Sequence, residues 1–146
     1  MSSQIGANRL GIRLSPVSPA NDSKDSNPQA LLNHVVEQLD PLGLVYLHIF
    51  EGATGVARNY LAFDYEALHK RFSGTWMVNN GYDRAMALSQ VASKRADLVS
   101  FGRAFISNPD LVARLQNNMS LAQLMGRETL YGGGAHSYTD YPNAKY

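Results

Sequence analysis

The sequence has 146 residues, of which 45% are hydrophobic and 17% are charged, and its formal net charge at pH 7 is +1. This length and composition predict one soluble globular domain with a modest core. The balanced charge and the lack of a basic run argue against a nucleic-acid or membrane-surface partner. Because the chain has no cysteine, disulfides, thiolate catalysis and cysteine metal sites are excluded.

The amino-terminal segment MSSQIGANRL has no apolar signal-peptide core, and no apolar run is as long as a membrane span. We therefore expect a cytoplasmic protein. The four histidines show no metal-ligand spacing, so the sequence predicts no metal site.

The first half of the chain predicts two strands with a helix between them. Residues 9–15 (RLGIRLS) read as a strand, and a polar loop follows through Asn27. Pro28 fits the first turn of a helix, where its missing N–H costs nothing, and Pro41-Leu42-Gly43 ends that helix. Residues 44–50 (LVYLHIF) are apolar on both faces, which is typical of a strand in a parallel sheet covered by helices.

The second half continues the alternation of strand and helix. The pattern predicts a helix over 65–72, a strand over 75–79, a helix over 82–95, a strand over 96–101, a short helix over 109–117 and an irregular tail after Gly126. Four strands, each followed by a helix, predict a parallel α/β sheet with right-handed crossovers. Half of an eight-stranded TIM (β/α)8 barrel fits this count, and so does an open doubly wound sheet.

Polar residues follow the predicted strands, where ligands gather in both architectures. Gly102 and Arg103 lie between a strand and a helix start, a setting suited to holding a phosphate. The turn from Asn79 to Tyr82 resembles it, and the two turns together could grip one phosphate. Arg13, within an apolar strand, is either a ligand contact or part of an interior ion pair, for example with Glu51.

Five segments in order resemble one known family: GIRLSP at 11–16, LVYLHIFEG at 44–52, VNNGYD at 78–83, ADLVSFGRAFISNPDLVARL at 96–115 and LYGGGAHSYTDYP at 130–142. Together they are similar to the fifth to eighth strands and closing segment of the old yellow enzyme family of flavin-dependent ene-reductases. The Ala135-His136-Ser137 wording departs from the commoner glycine-containing form there. The resemblance implies the second half, four βα units, of a TIM barrel.

The resemblance also implies a cofactor and a reaction. The family binds FMN non-covalently and reduces activated alkenes with NADPH or NADH. It would place Arg13 beside the pyrimidine edge of the flavin and Tyr131 at the dimethylbenzene end, lining the pocket of a small-molecule substrate. The FMN phosphate would be held by Asn79, Asn80, Gly81, Tyr82, Gly102 and Arg103. On the residues alone, Tyr131 is either a tail aromatic closing over a pocket or a packing anchor.

In the family, the first four strands carry the substrate-binding histidine/asparagine pair and the proton-donating tyrosine, and no matching region occurs here. We therefore expect residues 1–146 to form a single partial domain, with 127–146 as an irregular closing tail, that is inactive alone. Half a barrel has two unpaired strand edges, so the expected partner is a complementary first half or a second copy. The alternatives are a non-catalytic truncated remnant or assembly module, and an unrelated phosphate-binding βα enzyme.

Overall fold

A computed structural model of the chain describes residues 2–19, 22, 24–54, 59, 61–131 and 134–144. Its strands are β1 (Gly11–Leu14), β2 (Tyr46–Phe50), β3 (Thr75–Asn79) and β4 (Leu98–Val99). Its helices are α1 (Ser2–Ile5), α2 (Pro28–Leu39), α3 (Tyr65–His69), α4 (Arg84–Ala92), α5 (Arg103–Ser107) and α6 (Leu111–Gln116). Short 3-10 turns cover Ala7–Arg9, Asp40–Leu42 and Arg127–Thr129.

The four strands form one parallel sheet in the order β1-β2-β3-β4. This confirms the parallel sheet that the alternating pattern predicted. Each strand pairs with the next in the sequence, so β1 and β4 are the outer strands of the sheet in the described part of the chain. All four carboxyl ends therefore lie at the same edge, where ligands bind in sheets of this kind.

The core lies on one face of this sheet. Leu47 and Ile49 of β2 are fully buried, as are Trp76 and Val78 of β3, because alternate side chains of a strand point to the same face. Val36 of α2 packs into the same core with no exposed surface. On the opposite face, four residues are direct partners across the strands and form a row, and their side chains are half-buried or exposed: Arg13, His48, Met77 and Leu98.

Local sequence signals explain where the helices begin. The side chain of Asn27 accepts a hydrogen bond from the N–H of Ala30 at 3.2 Å, and Pro28 fills the first turn of α2. Asp83 caps α4 in the same way, through the N–H of Met86 at 2.8 Å. The predicted helix over 82–95 is therefore shorter in the structure, because Tyr82 precedes the cap and α4 ends at Ala92.

The chain divides into two compact units, Met1–Ser100 and Phe101–Tyr146. The second unit contains α5, α6 and the tail. The pattern predicted a single helix over 109–117, whereas the structure has α6 over Leu111–Gln116 and the additional α5 starting directly after Gly102. No helix among the described residues is long and apolar enough to cross a membrane. Gly132 and Gly133 of the predicted closing segment lie outside the described residues.

Candidate functional site

Arg13 presents an exposed cation near the carboxyl end of β1. Its guanidinium carbon lies 5.2 Å from the centre of the Phe50 ring, a cation–π contact across the two strands. Its Nη2 is 3.5 Å from Oδ1 of Asn79, a long and weak hydrogen bond. Nδ2 of Asn79 in turn donates to the carbonyl of Ser100 at 2.7 Å. The Asn79 amide therefore joins Arg13 to the residue after β4.

A tight turn over residues 79–82, hereafter the 79–82 turn, connects β3 to α4. Two successive residues have positive φ angles, Asn80 at 101° and Gly81 at 65°. Gly81 is exposed, and a Cβ built on it would meet no atom within 4 Å. The apex of this turn is therefore open, so a ligand can approach its backbone closely.

The side chains of Asn80 and Tyr82 bind within the protein. Nδ2 of Asn80 donates to the carbonyls of Glu51 at 2.6 Å and of Ala53 at 3.4 Å. The Tyr82 hydroxyl donates to Oε2 of Glu51 at 2.5 Å, and both residues are 9% exposed. Because these two side chains are engaged within the protein, a ligand at the 79–82 turn would contact the backbone of the turn.

His48 lies in the same register row as Arg13 and is hydrogen-bonded on the open face of the sheet. Its Nε2 is 3.0 Å from the hydroxyl of Ser100. Partial burial, together with the nearby positive charge of Arg13, lowers the pKa of His48 below its usual value of 6.5. With its lowered pKa, His48 is mainly neutral at pH 7, so Arg13 carries the positive charge in the row of Arg13, His48, Met77 and Leu98.

The other predicted site residues lie in the second unit. Gly102 is the residue before α5, is exposed, and would accommodate a Cβ without meeting any atom within 4 Å. Arg103 is the first residue of α5 and is also exposed. Tyr131 is 97% exposed in the tail. The assignment of these three residues to the flavin stays a prediction.

The first unit also has a groove of about 550 Å³ between the segment after β1 and α2. Apolar side chains dominate its lining, among them Leu14, Val17, Leu32 and Val35. None of the predicted site residues lines it. The polar groups that suit a phosphorylated ligand instead lie at the strand ends described above.

Comparison with known proteins identifies the family. The sequence profile described as "NADH:flavin oxidoreductase / NADH oxidase family" matches residues 1–122. The chain belongs to this family. The solved structure of the old yellow enzyme from Trypanosoma cruzi is similar over 99% of this chain, with a TM-score of 0.90 and 35% identity. Morphinone reductase in complex with tetrahydroNAD is similar over 99% of the chain, with a TM-score of 0.87 and 33% identity.

Sequence relatives within the family agree. The chain is 37% identical, over 97% of its length, to a 12-oxophytodienoate reductase-like protein of Solanum lycopersicum. It is 36% identical, over 98% of its length, to 12-oxophytodienoate reductase 2 of Arabidopsis thaliana. The chain spans 38% and 39% of the length of these two relatives, and 37% of the T. cruzi enzyme. The resemblance to the old yellow enzyme family and the predicted part-barrel with parallel strands are both confirmed.

Sequence reasoning missed two contacts at this site. Phe50 had been interpreted only as part of an apolar strand, yet its ring lies under Arg13. The sequence places Glu51 at a strand end and offers it as an ion-pair partner for Arg13, but it does not indicate that the Glu51 side chain accepts the Tyr82 hydroxyl. The position of Glu51 directly after β2 indicates the ligand-binding edge of the sheet, but it does not indicate a contact with Tyr82.

Proposed function

We propose that this chain is the FMN-binding part of an NAD(P)H-dependent flavin oxidoreductase that reduces activated alkenes such as enones. The observation that carries the proposal is the placement of Arg13 against Asn79, the residue that begins the 79–82 turn, in a chain of this family. A fixed cation and an open backbone turn at the same edge of the sheet suit a ligand with a phosphate and an electron-accepting ring.

The residues of the first unit fit FMN. A phosphate needs donors that it can approach closely, and among the described residues, apart from the two neighbours of Gly81 in the chain, no atom lies within 4 Å of the position that a Cβ of Gly81 would take. A flavin ring benefits from a cation at its pyrimidine edge, and Arg13 is exposed and held by Phe50 and Asn79. Neither role requires a side chain to leave its observed contacts.

Bound FMN would supply the redox chemistry, passing reducing equivalents from NADH or NADPH to the alkene. Arg13 would stabilise negative charge at the pyrimidine edge, because its guanidinium carries a permanent charge and lies against Phe50 and Asn79. The 79–82 turn holds the phosphate through its backbone. As the family resemblance implies, Gly102 and Arg103 would contact the phosphate and Tyr131 would approach the dimethylbenzene end.

Turnover requires the remaining βα units of the barrel. The chain spans 37–39% of the relatives described above, and in the family the groups that bind and protonate the substrate come from the first four strands. A complementary first-half barrel, or self-association of this chain, would complete the fold. The second candidate function is a non-catalytic remnant or assembly module, which β1 and β4 favour because no strand among the described residues pairs with their outer edges.

The test is to purify the chain, record its flavin absorbance spectrum, and assay NADPH-dependent reduction of an enone with and without the first-half segment of a relative. We expect the chain to bind FMN and to reduce the enone only when the first-half segment is present. An Arg13→Gln variant should weaken FMN binding and slow the reduction. Robust turnover by the chain alone would contradict the need for a first half. No flavin binding in either setting would favour the non-catalytic module.

A further inference from the structure

Glu51 contacts three residues of the 79–82 turn from the end of the neighbouring strand. Its backbone N–H donates to the carbonyl of Asn79 at 3.1 Å, which continues the β2–β3 ladder by one step. Its carbonyl accepts Nδ2 of Asn80 at 2.6 Å, and its carboxylate accepts the Tyr82 hydroxyl at 2.5 Å. One residue thus holds the start, the middle and the end of the turn, and only Gly81 is left outside these contacts.

The backbone of the turn requires such support. Asn80 has a φ of 101°, in a region that residues other than glycine seldom occupy, and Gly81 follows at 65°. A strained pair of this kind persists only where surrounding contacts fix it. The bond from the Tyr82 hydroxyl to the Glu51 side chain is shielded from water, since both residues are buried, and a hydrogen bond is stronger in such surroundings than in water.

We propose that Glu51 is a positioning residue of the cofactor site: it fixes the 79–82 turn so that the backbone at Gly81 stays open to the phosphate of a flavin mononucleotide. This inference rests on the proposed function. Glu51 acts through the turn, because its side chain accepts the Tyr82 hydroxyl and its backbone bonds Asn79 and Asn80.

A positioning role and a purely structural role predict different ligand preferences. FMN and riboflavin differ only by the phosphate, so a turn that holds the phosphate affects the affinity for FMN and leaves that for riboflavin unchanged. A contact that merely stabilises the fold changes both affinities together, along with the melting temperature. The ratio of the two dissociation constants therefore separates the two roles.

The experiment compares Tyr82→Phe and Glu51→Gln with Tyr138→Phe, a control at an exposed tyrosine in the second unit. Affinities for FMN and riboflavin are measured by fluorescence quenching, using the full chain with the first-half segment present. We expect both test variants to weaken FMN binding by about tenfold, the equivalent of one lost hydrogen bond. The affinity for riboflavin and all values for Tyr138→Phe should stay within about twofold of the wild type.

Each remaining outcome overturns a stated part of the argument. If the wild type prefers FMN over riboflavin and the variants keep that preference, the positioning role of Glu51 is wrong while the proposed function stands. If the variants lose both ligands equally, the contact is structural only. If the wild type binds no FMN, the proposed function fails and the inference fails with it.

Discussion

Gly81 has a left-handed backbone conformation in the 79–82 turn. Its φ is 65°, and open space surrounds the position of a Cβ. A Gly81→Ala substitution therefore causes no clash. Its only effect on stability is the conformational free energy needed to keep alanine in a left-handed backbone. We expect the free energy of unfolding in urea to fall by about 1–2 kcal/mol.

Gly102 provides a matched control for this substitution. A Cβ there also meets no atom within 4 Å, but its φ is −99°, which every residue adopts. Gly102→Ala should change the free energy of unfolding by less than about 0.5 kcal/mol. Equal losses for the two variants would show that the left-handed backbone of Gly81 is not what makes the substitution costly.

The sequence indicates some residues of the candidate site but not the contacts between them. Asn79 and Gly81 could be proposed because a polar turn directly after an apolar strand marks the ligand-binding edge of a parallel sheet. The contacts of Glu51 with Asn80 and Tyr82 could not, because they join residues about thirty positions apart and depend on the register of β2 against β3. Register between parallel strands depends on which face of each strand is buried in the assembled sheet, since no tight turn joins β2 to β3.

At the scale of elements, strong periodicity predicted well and short elements did not. The strand over 75–79 matches β3 at both ends, because Trp76 and Val78 alternate with less buried neighbours and Asn80-Gly81 ends the run. The five-residue helix α5 was not predicted, because a stretch of that length shows little more than one helical turn of periodicity. The four-residue helix α1 escaped prediction for the same reason.

A buried ion pair ties the tail of the second unit to α6. Arg114 is 8% exposed and bonds the Asp110 carboxylate at 2.7 Å and the carbonyl of Ser120 at 2.9 Å. The other oxygen of Asp110 accepts the N–H of Ala144 at 2.7 Å. The bonds from Arg114 and then from Ala144 hold the pKa of Asp110 below its usual value of 3.8.

This lowered pKa predicts that acid releases the tail. Because Asp110 binds its proton more weakly when folded, its stabilisation is present above pH 3.8 and is lost as the pH falls through the lower folded value. We expect the hydrogen-exchange protection factor of the Ala144 amide to drop as the solution is acidified below that point. Asp110→Asn should flatten the dependence, because residue 110 no longer titrates.

Asp83→Asn serves as the control, since Asp83 caps α4 in the first unit and bonds Met86 rather than the tail. The Ala144 amide should keep its acid-dependent protection in this variant. An unchanged pH profile in Asp110→Asn would show that another group controls the tail.

The sheet of the first unit has four strands in the part of the chain that the structure describes. Its outer strands β1 and β4 each pair on one side only within the described residues, and the open face includes Leu98, which is 46% exposed. Helix α4 buries none of its residues, and Leu88 and Val91 on it are about half exposed. The resemblance to the family predicted that apolar side chains and strand edges would be exposed, because four strands of a barrel leave the interior wall and two strand edges uncovered. Hydrophobic patterning alone could not, since it fits an open doubly wound sheet equally well.

Leu98 offers the sharpest test of what covers that sheet. It lies on the outer strand β4, in the same row as Met77, where a completing strand would bury it. Leu98→Lys should therefore weaken association with a first-half segment, measured by sedimentation, by about tenfold or more, the equivalent of one buried leucine. Val112→Lys, at a residue of α6 that is 68% exposed, should leave association unchanged. Equal weakening by both variants would point to nonspecific apolar contacts, whereas loss confined to Leu98 would mean that the edge of β4 is where the barrel is completed.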